Sequence, residues 1–438
     1  MTRFPPSGAL RGRLTPPPDK SISHRAALLG AMSDEPVTIR GYLRAADTLT
    51  TLDAIQALGA GVEDDGDDVV VRGVGLRGAQ AATGGMIDVR NAGTLMRVLP
   101  GWLAGQPSGY WSLDGDESVR RRPVDRVVEP LRRMGARIEA RDGRLPPLAV
   151  GGGALTGADH ELPVASAQVK SCLLIAGMLA EGETTVREPA PSRDHTERIL
   201  RRARVPFEHD GLSSKVGEVD ELELGELSVP RDPSSAAFAA VAAWLVPRSR
   251  IVLRDVCLNW TRTGLFRIAR RMGAVVVGDL ETEEQAANGL DSEPVGELDL
   301  AAAPLEATTV EPEEVPLAID ELPLVALLGC FAKGETVVRG AAELRHKETD
   351  RIAGVVEGLQ GLGANVEATA DGFVASGGGV EGGVLDARGD HRMAMLGAVA
   401  GLASRSGVEV QGMDAAAVSY PDFEADLERL APRGRSSA

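Results

Sequence analysis

One local pattern recurs along the chain and limits what it can fold into. A helix-like stretch ends in Gly, and a short apolar strand follows. The pattern reads Leu58-Gly59-Ala60-Gly61-Val62, Met134-Gly135-Ala136-Arg137-Ile138, Met272-Gly273-Ala274-Val275-Val276 and Leu362-Gly363-Ala364-Asn365-Val366. Degenerate copies lie at Ala203-Arg204-Val205 and Leu430-Ala431. About 20–28 residues upstream of each, a turn leads into β-prone residues. These are Pro36–Ile39, Gly109–Trp111, Gly182–Val186, Arg250–Val252, Gly334–Val338 and Gly407–Val410. Copies in register at this spacing imply six units of roughly 70–90 residues, each reading helix, strand, helix, strand. The Gly after the helix suits a left-handed C′ position, where a Cβ is penalised.

The first helix of a unit is apolar on most sides, as in Ala26–Met32 and Leu173–Leu179. Such a helix is buried rather than amphipathic. A chain of 438 residues can bury more than one core. The repeat therefore predicts two domains of three units, with the second half starting near Asp232-Pro233-Ser234-Ser235.

The starts of these buried helices carry unusual polar residues: Asp19–Arg25, Asn91–Thr94, Ser166–Lys170, Asp232–Ser235, Asp320-Glu321 and Gly389–Arg392. Ser, Asn and Asp there are ordinary caps. Lys20, Arg25, Lys170 and Arg392 are not, because a cation in the first turn opposes the helix dipole. A bound phosphate or carboxylate beside them would remove the conflict. Two further clusters stand apart. Arg120-Arg121-Arg122-Pro123 follows the acidic turn Asp114–Glu117, and Leu344–Arg351 is expected to open the helix ending near Leu362. On that helix Lys347 and Arg351 would share a face at i, i+4, with Glu348 holding a proton tuned by the cations. Only five of the 47 basic residues are lysine, and Lys20, Lys170 and Lys347 fall in these clusters.

Charge excludes some classes of function. The net charge of −17 disfavours a binder of nucleic acid or of anionic membrane, which needs a basic footprint. Cys172, Cys257 and Cys330 form no CxxC pair, so neither a disulfide framework nor a Cys-based zinc site is expected. No apolar run is long enough to span a bilayer, and Met1–Leu14 lacks the apolar stretch of a secretory signal. A cytoplasmic location follows as the expectation. The acidity sits in Gly61–Val71, Val216–Leu227 and, with twelve acidic residues and no Lys or Arg, Gly278–Ile319. These segments read as solubilising surface, which leaves the motif-bearing remainder net basic.

Taken in order, the motifs resemble the 5-enolpyruvylshikimate-3-phosphate synthase family of enolpyruvyl transferases. The resemblance rests on Asp19–Arg25, Asn91–Thr94, Arg121–Pro123, Ser166–Ser171, Ser192–Glu197, Asp232–Ser235, Ile319–Glu321, Leu344–Arg351 and Asp390–Met395. It implies a two-domain α/β (α+β) fold, an inside-out α/β barrel of six βαβαββ-like repeats. One domain would span 16–231, the other 1–15 with 232–438, and the chain would cross near Pro16–Lys20 and Pro230–Asp232. The active site would lie in the inter-domain cleft, assembled by closure on the first substrate. The implied reaction moves the enolpyruvyl group of phosphoenolpyruvate to the 5-hydroxyl of shikimate 3-phosphate and releases phosphate.

By the same resemblance, Lys20, Ser21, Arg25, Ser166, Ala167, Gln168, Arg193, Asp320 and Lys347 would bind shikimate 3-phosphate. Lys20, Gly93, Arg122, Gln168, Arg351 and Arg392 would bind phosphoenolpyruvate. Asp320 would take the 5-hydroxyl proton, and Glu348, with Lys20, would protonate C3. The family implies a monomer with no metal, no cofactor, no nucleic acid and no membrane as partner. Gly93 keeps the small residue of glyphosate-sensitive members, whereas Ser192–Glu197 looks like the tolerant subgroup; sensitivity is expected because Gly93 would line the pocket. A basic residue expected before Ser419-Tyr420-Pro421-Asp422 is replaced by Val418. Two alternatives compete. A UDP-N-acetylglucosamine enolpyruvyl transferase needs a loop Cys, which Asp114–Pro123 lacks. A non-catalytic anion-binding paralogue would have lost Asp320, Glu348 or Lys20, and all three are present.

Overall fold

A computed structural model describes residues 1–81, 85–288 and 291–431. The chain divides into two compact units. One holds Pro18–Pro230 with Thr282–Glu293; the other holds Met1–Pro17, Arg231–Glu281 and the chain from Pro294 onward. The first is called the 18–230 unit below, the second the C-terminal unit.

Each unit is built on three inner helices. In the 18–230 unit these are Lys20–Ala31, Gly93–Ala104 and Ala167–Met178. In the C-terminal unit they are Pro233–Leu245, Leu322–Phe331 and His391–Ala403. The apolar composition is used on all sides: every residue of Pro233–Leu245 is buried. An outer helix follows each inner one: Ala46–Ala57, Asp125–Arg133, His195–Arg202, Gly264–Arg271, Arg351–Gly361 and Phe423–Leu430. Four of these end as the repeat predicts, with Gly59, Gly135, Gly273 and Gly363 at φ of +101°, +95°, +93° and +82°. In the degenerate third copy Arg204 takes the same left-handed position at φ +57°. A Cβ there costs about 1–2 kcal/mol, so the turn belongs to the repeat rather than to glycine alone.

Six of the sheets share one plan. The strand after each inner helix has a parallel neighbour on one side and an antiparallel one on the other. Glu183–Arg187, for example, pairs in parallel with Asp159–Glu161 and antiparallel with Ser213–Gly217. Distant segments complete some sheets. Val37–Arg40 takes its parallel neighbour from Glu226–Ser228, the last strand of its own unit. Arg11–Leu14 and Thr2–Phe4 supply strands beside Arg250–Cys257 and Val408–Gln411. This pairing is why the N-terminal residues belong with the C-terminal unit. Among the described residues no helix is long and apolar enough to cross a membrane.

Side chains cap four of the inner helices. Asp19 Oδ1 accepts from the Ile22 amide at 2.8 Å, and Asp232 Oδ1 accepts from Ser234 at 2.8 Å. Asp390 Oδ1 accepts from Arg392 at 2.9 Å and Ser166 Oγ from Val169 at 3.5 Å. The other two starts differ from expectation. Ala92 occupies the cap of Gly93–Ala104, and Asn91 instead donates to Asp116 Oδ2 at 2.6 Å. Glu321 precedes Leu322–Phe331 without a side-chain cap bond, and Asp320 is engaged by cations instead.

Candidate active site

In the 18–230 unit, one hydrogen-bonded chain runs across the three inner-helix starts. Arg25 is 2% exposed. Its Nε donates to Thr196 Oγ1 at 2.9 Å and its Nη2 to Ser171 Oγ at 2.9 Å. Its Nη1 donates to the Ser21 carbonyl at 3.0 Å and its Nη2 to the Ala167 carbonyl at 3.3 Å. Arg193 Nη1 donates to Ser21 Oγ at 3.0 Å. Beyond Ala167, the Gln168 amide is oriented from both ends: Oε1 accepts from Arg97 Nη1 at 2.9 Å and Nε2 donates to Thr94 Oγ1 at 3.0 Å. Next to Thr94, the Gly93 backbone passes so close to Arg122 that a Cβ on Gly93 would lie 2.8 Å from Nη1. Arg122 Nη2 donates to Ser118 Oγ at 2.8 Å. Hydroxyl, amide and carbonyl oxygens are among the acceptors that orient these guanidinium groups.

Two lysines in this unit meet carboxylates. Lys20 Nζ lies 3.1 Å from Asp47 Oδ2. Lys170 is buried, with Nζ 2.5 Å from Glu188 and 2.6 Å from Glu197. The sequence reading of Lys170 as an anion-facing cation is therefore corrected: its charge is met inside the unit. Burial opposes its protonation, but the two carboxylates outweigh that and hold its pKa above the usual lysine range. His24 is buried, with Nδ1 2.6 Å from Thr51 Oγ1. Desolvation first, then the charges of Lys20 and Arg25, lower its pKa to about 3. A neutral imidazole is thus a structural part of this helix start.

In the C-terminal unit the cations meet acids. Asp320 Oδ1 lies 3.2 Å from Arg351 Nη1 and 3.4 Å from Lys347 Nζ, and Oδ2 lies 3.5 Å from Arg392 Nη2. Arg351, 1% exposed, also donates from Nη2 to Glu348 Oε2 at 2.5 Å and from Nε to Asp390 Oδ2 at 2.8 Å. Burial would raise the pKa of Asp390, but the Arg351 charge prevails and holds it below the usual carboxylate range.

The helical reading of Lys347 and Arg351 is corrected here. Ala342–His346 is a 3-10 turn, Asp350 caps the next helix, and that helix begins only at Arg351. The cap forms because Asp350 Oδ1 accepts from the Ala353 amide at 3.0 Å. Lys347 and Arg351 meet at Asp320 instead of along a helix face.

The residues named from sequence thus fall into two groups. Ser21, Arg25, Ala167, Gln168, Gly93, Arg122 and Arg193 fall along the network of the 18–230 unit, flanked by Ser166 and by Lys20 with Asp47. Asp320, Lys347, Glu348, Arg351 and Arg392 converge in the other. Sequence reasoning missed Asp47, Arg97, Thr196 and Asp390 as supports. Thr196 and Asp390 lay inside the quoted motifs, so the motifs carried a signal for them; Asp47 and Arg97 carried none. The acidic stretch Gly278–Ile319 is not all solvated surface: Glu281 accepts from the Trp260 amide at 2.8 Å, and Glu293 lies 2.6 Å from His195 Nδ1. All three cysteines are free and buried, and burial pushes the Cys330 thiol up to about 12. Among the described residues no group of three His, Cys, Asp or Glu is placed to hold a metal ion.

Two units of three repeats each, one with a carboxylate ringed by three cations, define a two-domain α/β protein. Comparison narrows the class. Residues 5–427 match the EPSP synthase (3-phosphoshikimate 1-carboxyvinyltransferase) family. A 3-phosphoshikimate 1-carboxyvinyltransferase of Thermus thermophilus is 46% identical over 429 residues, covering 98% of each chain. One from Bacillus licheniformis is 43% identical over 431 residues, covering 97% of this chain and 98% of its own. The solved EPSP synthase of Acinetobacter baumannii superposes with a TM-score of 0.84 at 36% identity, covering 98% of each chain. The chain belongs to the EPSP synthase family.

Proposed function

We propose that this chain transfers the enolpyruvyl group of phosphoenolpyruvate to the 5-hydroxyl of shikimate 3-phosphate. Family membership supports the reaction, and nothing in the comparisons supports the UDP-N-acetylglucosamine alternative. The observation that carries the site is the convergence of Lys347, Arg351 and Arg392 on Asp320, 3.2–3.5 Å away.

Ser21, Arg25, Ser166, Ala167, Gln168, Arg193 and Lys347 hold shikimate 3-phosphate. Lys20, Gly93, Arg122, Gln168, Arg351 and Arg392 hold phosphoenolpyruvate, Arg meeting phosphate or carboxylate with its planar fork. Asp320 accepts the 5-hydroxyl proton as that oxygen bonds to C2, and Glu348, assisted by Lys20, protonates C3. In the second step the C2–O bond to phosphate breaks, the leaving phosphate takes the proton held by Asp320, and a C3 proton returns to Glu348. General acid–base steps of this kind contribute about 10²–10⁴-fold, and the clustered cations stabilise developing negative charge. The reading includes a monomeric, cytoplasmic enzyme working without metal or cofactor.

The test is product identification. Purified protein given both substrates should release phosphate and form an equal amount of enolpyruvylshikimate 3-phosphate, seen by its vinyl protons in NMR. UDP-N-acetylglucosamine in place of shikimate 3-phosphate should give neither. Product from the nucleotide sugar alone would overturn the reading.

A further inference from the structure

The short helix His195–Arg202 has two working sides at its start. Arg193 and Thr196 reach the inner helix Lys20–Ala31: Arg193 Nη1 donates to Ser21 Oγ at 3.0 Å, and Thr196 Oγ1 accepts from Arg25 Nε at 2.9 Å. Asp194, His195 and Arg198 turn to a different partner. Arg198, 2% exposed, donates from Nε to Asp194 Oδ2 at 2.9 Å. Its Nη1 donates to the Ser292 carbonyl at 2.8 Å. His195, with no exposed side-chain area, lies 2.6 Å from Glu293, whose own side chain is 9% exposed.

Ser292 and Glu293 arrive from far along the chain. They end the segment Thr282–Glu293, which groups with the 18–230 unit although its flanks, up to Glu281 and from Pro294, belong to the other. Both flanks are fixed on one residue: Leu258 O accepts from the Glu281 amide at 3.0 Å, and the Leu258 amide donates to Pro294 O at 2.8 Å. A solvated acidic loop needs no such anchoring, nor a buried carboxylate on a buried imidazole. Burying charge is costly unless it is paired, so the contact is a built one.

We infer that Glu293 is a positioning residue for the shikimate 3-phosphate side of the site. With Ser292, it grips one side of the His195–Arg202 start and so sets where Arg193 and Thr196 meet Ser21 and Arg25 on the other. This rests on the assignment of Ser21, Arg25 and Arg193 made above. Loss of the grip leaves the anion-binding groups present but displaced, and small displacements of binding groups are costly.

Steady-state kinetics of the full chain tests this with four variants. Glu293→Ala should raise the KM for shikimate 3-phosphate on the order of tenfold, with the KM for phosphoenolpyruvate within about twofold. Glu293→Gln keeps an acceptor for His195 and should recover most of the loss. Glu283→Gln, in the same segment, should change nothing. Arg193→Ala tests the underlying assignment separately: an unchanged shikimate 3-phosphate KM there would refute the assignment. A raised KM in Arg193→Ala with an unchanged one in Glu293→Ala would overturn the inference alone, as would equal rises in both KM values. Should Glu293→Ala not fold, His195→Gln with Glu293→Gln carries the same comparison: raised shikimate 3-phosphate KM in the first supports the inference, and none in either overturns it.

Discussion

The cations proposed to serve the site are oriented by different groups in the two units. In the 18–230 unit, hydroxyls and carbonyls hold Arg25 and Arg193, a Gln carbonyl holds Arg97, and a hydroxyl holds Arg122. In the C-terminal unit, carboxylates hold Lys347, Arg351 and Arg392. On the proposed assignments, the first group binds the incoming anion. The second couples positive charge to groups able to take and give protons. Repetition of one fold unit therefore does not repeat the chemistry. On this reading the same helix start binds substrate in one half and moves protons in the other, according to which residues fill it.

Substitutions can break or sharpen this contrast. The largest effect is expected at Asp320, where Asp320→Ala should lower turnover at least about a hundredfold when phosphate release is followed at saturating substrates. Arg25→Gln should act on binding instead. Loss of one charge-assisted contact, about 1.5–3 kcal/mol, should weaken shikimate 3-phosphate by about tenfold or more in calorimetric titration, with saturated turnover changed only a few-fold. A comparable fall in saturated turnover would erase the contrast. Gly93→Ala is expected to be smaller and selective. Its Cβ meets the far end of Arg122 at 2.8 Å, so the guanidinium shifts while the backbone does not. The KM for phosphoenolpyruvate, and inhibition by glyphosate, should weaken several-fold with little change in Tm. A large drop in Tm would instead mean that the backbone gives way.

The smallest effect is on the pH dependence of stability. His24 is neutral when folded, with its pKa lowered to about 3 from 6.5. Between those values the unfolded chain binds the proton and the folded chain does not, so stability falls as pH falls. The slope contributed is about 1.4 kcal/mol per pH unit. Denaturant unfolding from pH 6.5 down to 4 should show it, and His24→Gln should remove it. An unchanged slope in the variant would contradict the buried neutral imidazole.

Much of this architecture is legible along the chain because its grammar is local. A left-handed helix end followed by a strand can be read at Gly59, Gly135, Gly273 and Gly363 without knowing any distant contact. Most of the residues of both clusters were also named, because they sit at those helix starts. What escaped depends on partners far away in sequence. The role of Lys170 is decided by Glu188 and Glu197, and nothing near Lys170 announces them. The acidity of Gly278–Ile319 looked like solvation, since composition cannot distinguish an exposed carboxylate from Glu293 against His195. The Lys347–Arg351 spacing suggested a helix face, but Asp350 competes as a cap and starts the helix late. At Asn91, the side chain found Asp116 and left the cap position to Ala92.

Glu348 offers the most direct measurement of the division between binding and chemistry. Shikimate 3-phosphate affinity and turnover should be measured together on Glu348→Gln, by titration calorimetry and phosphate release. The account predicts affinity within about threefold of the unaltered protein and turnover reduced at least about a hundredfold. Affinity and turnover falling together, or turnover left intact, would contradict it.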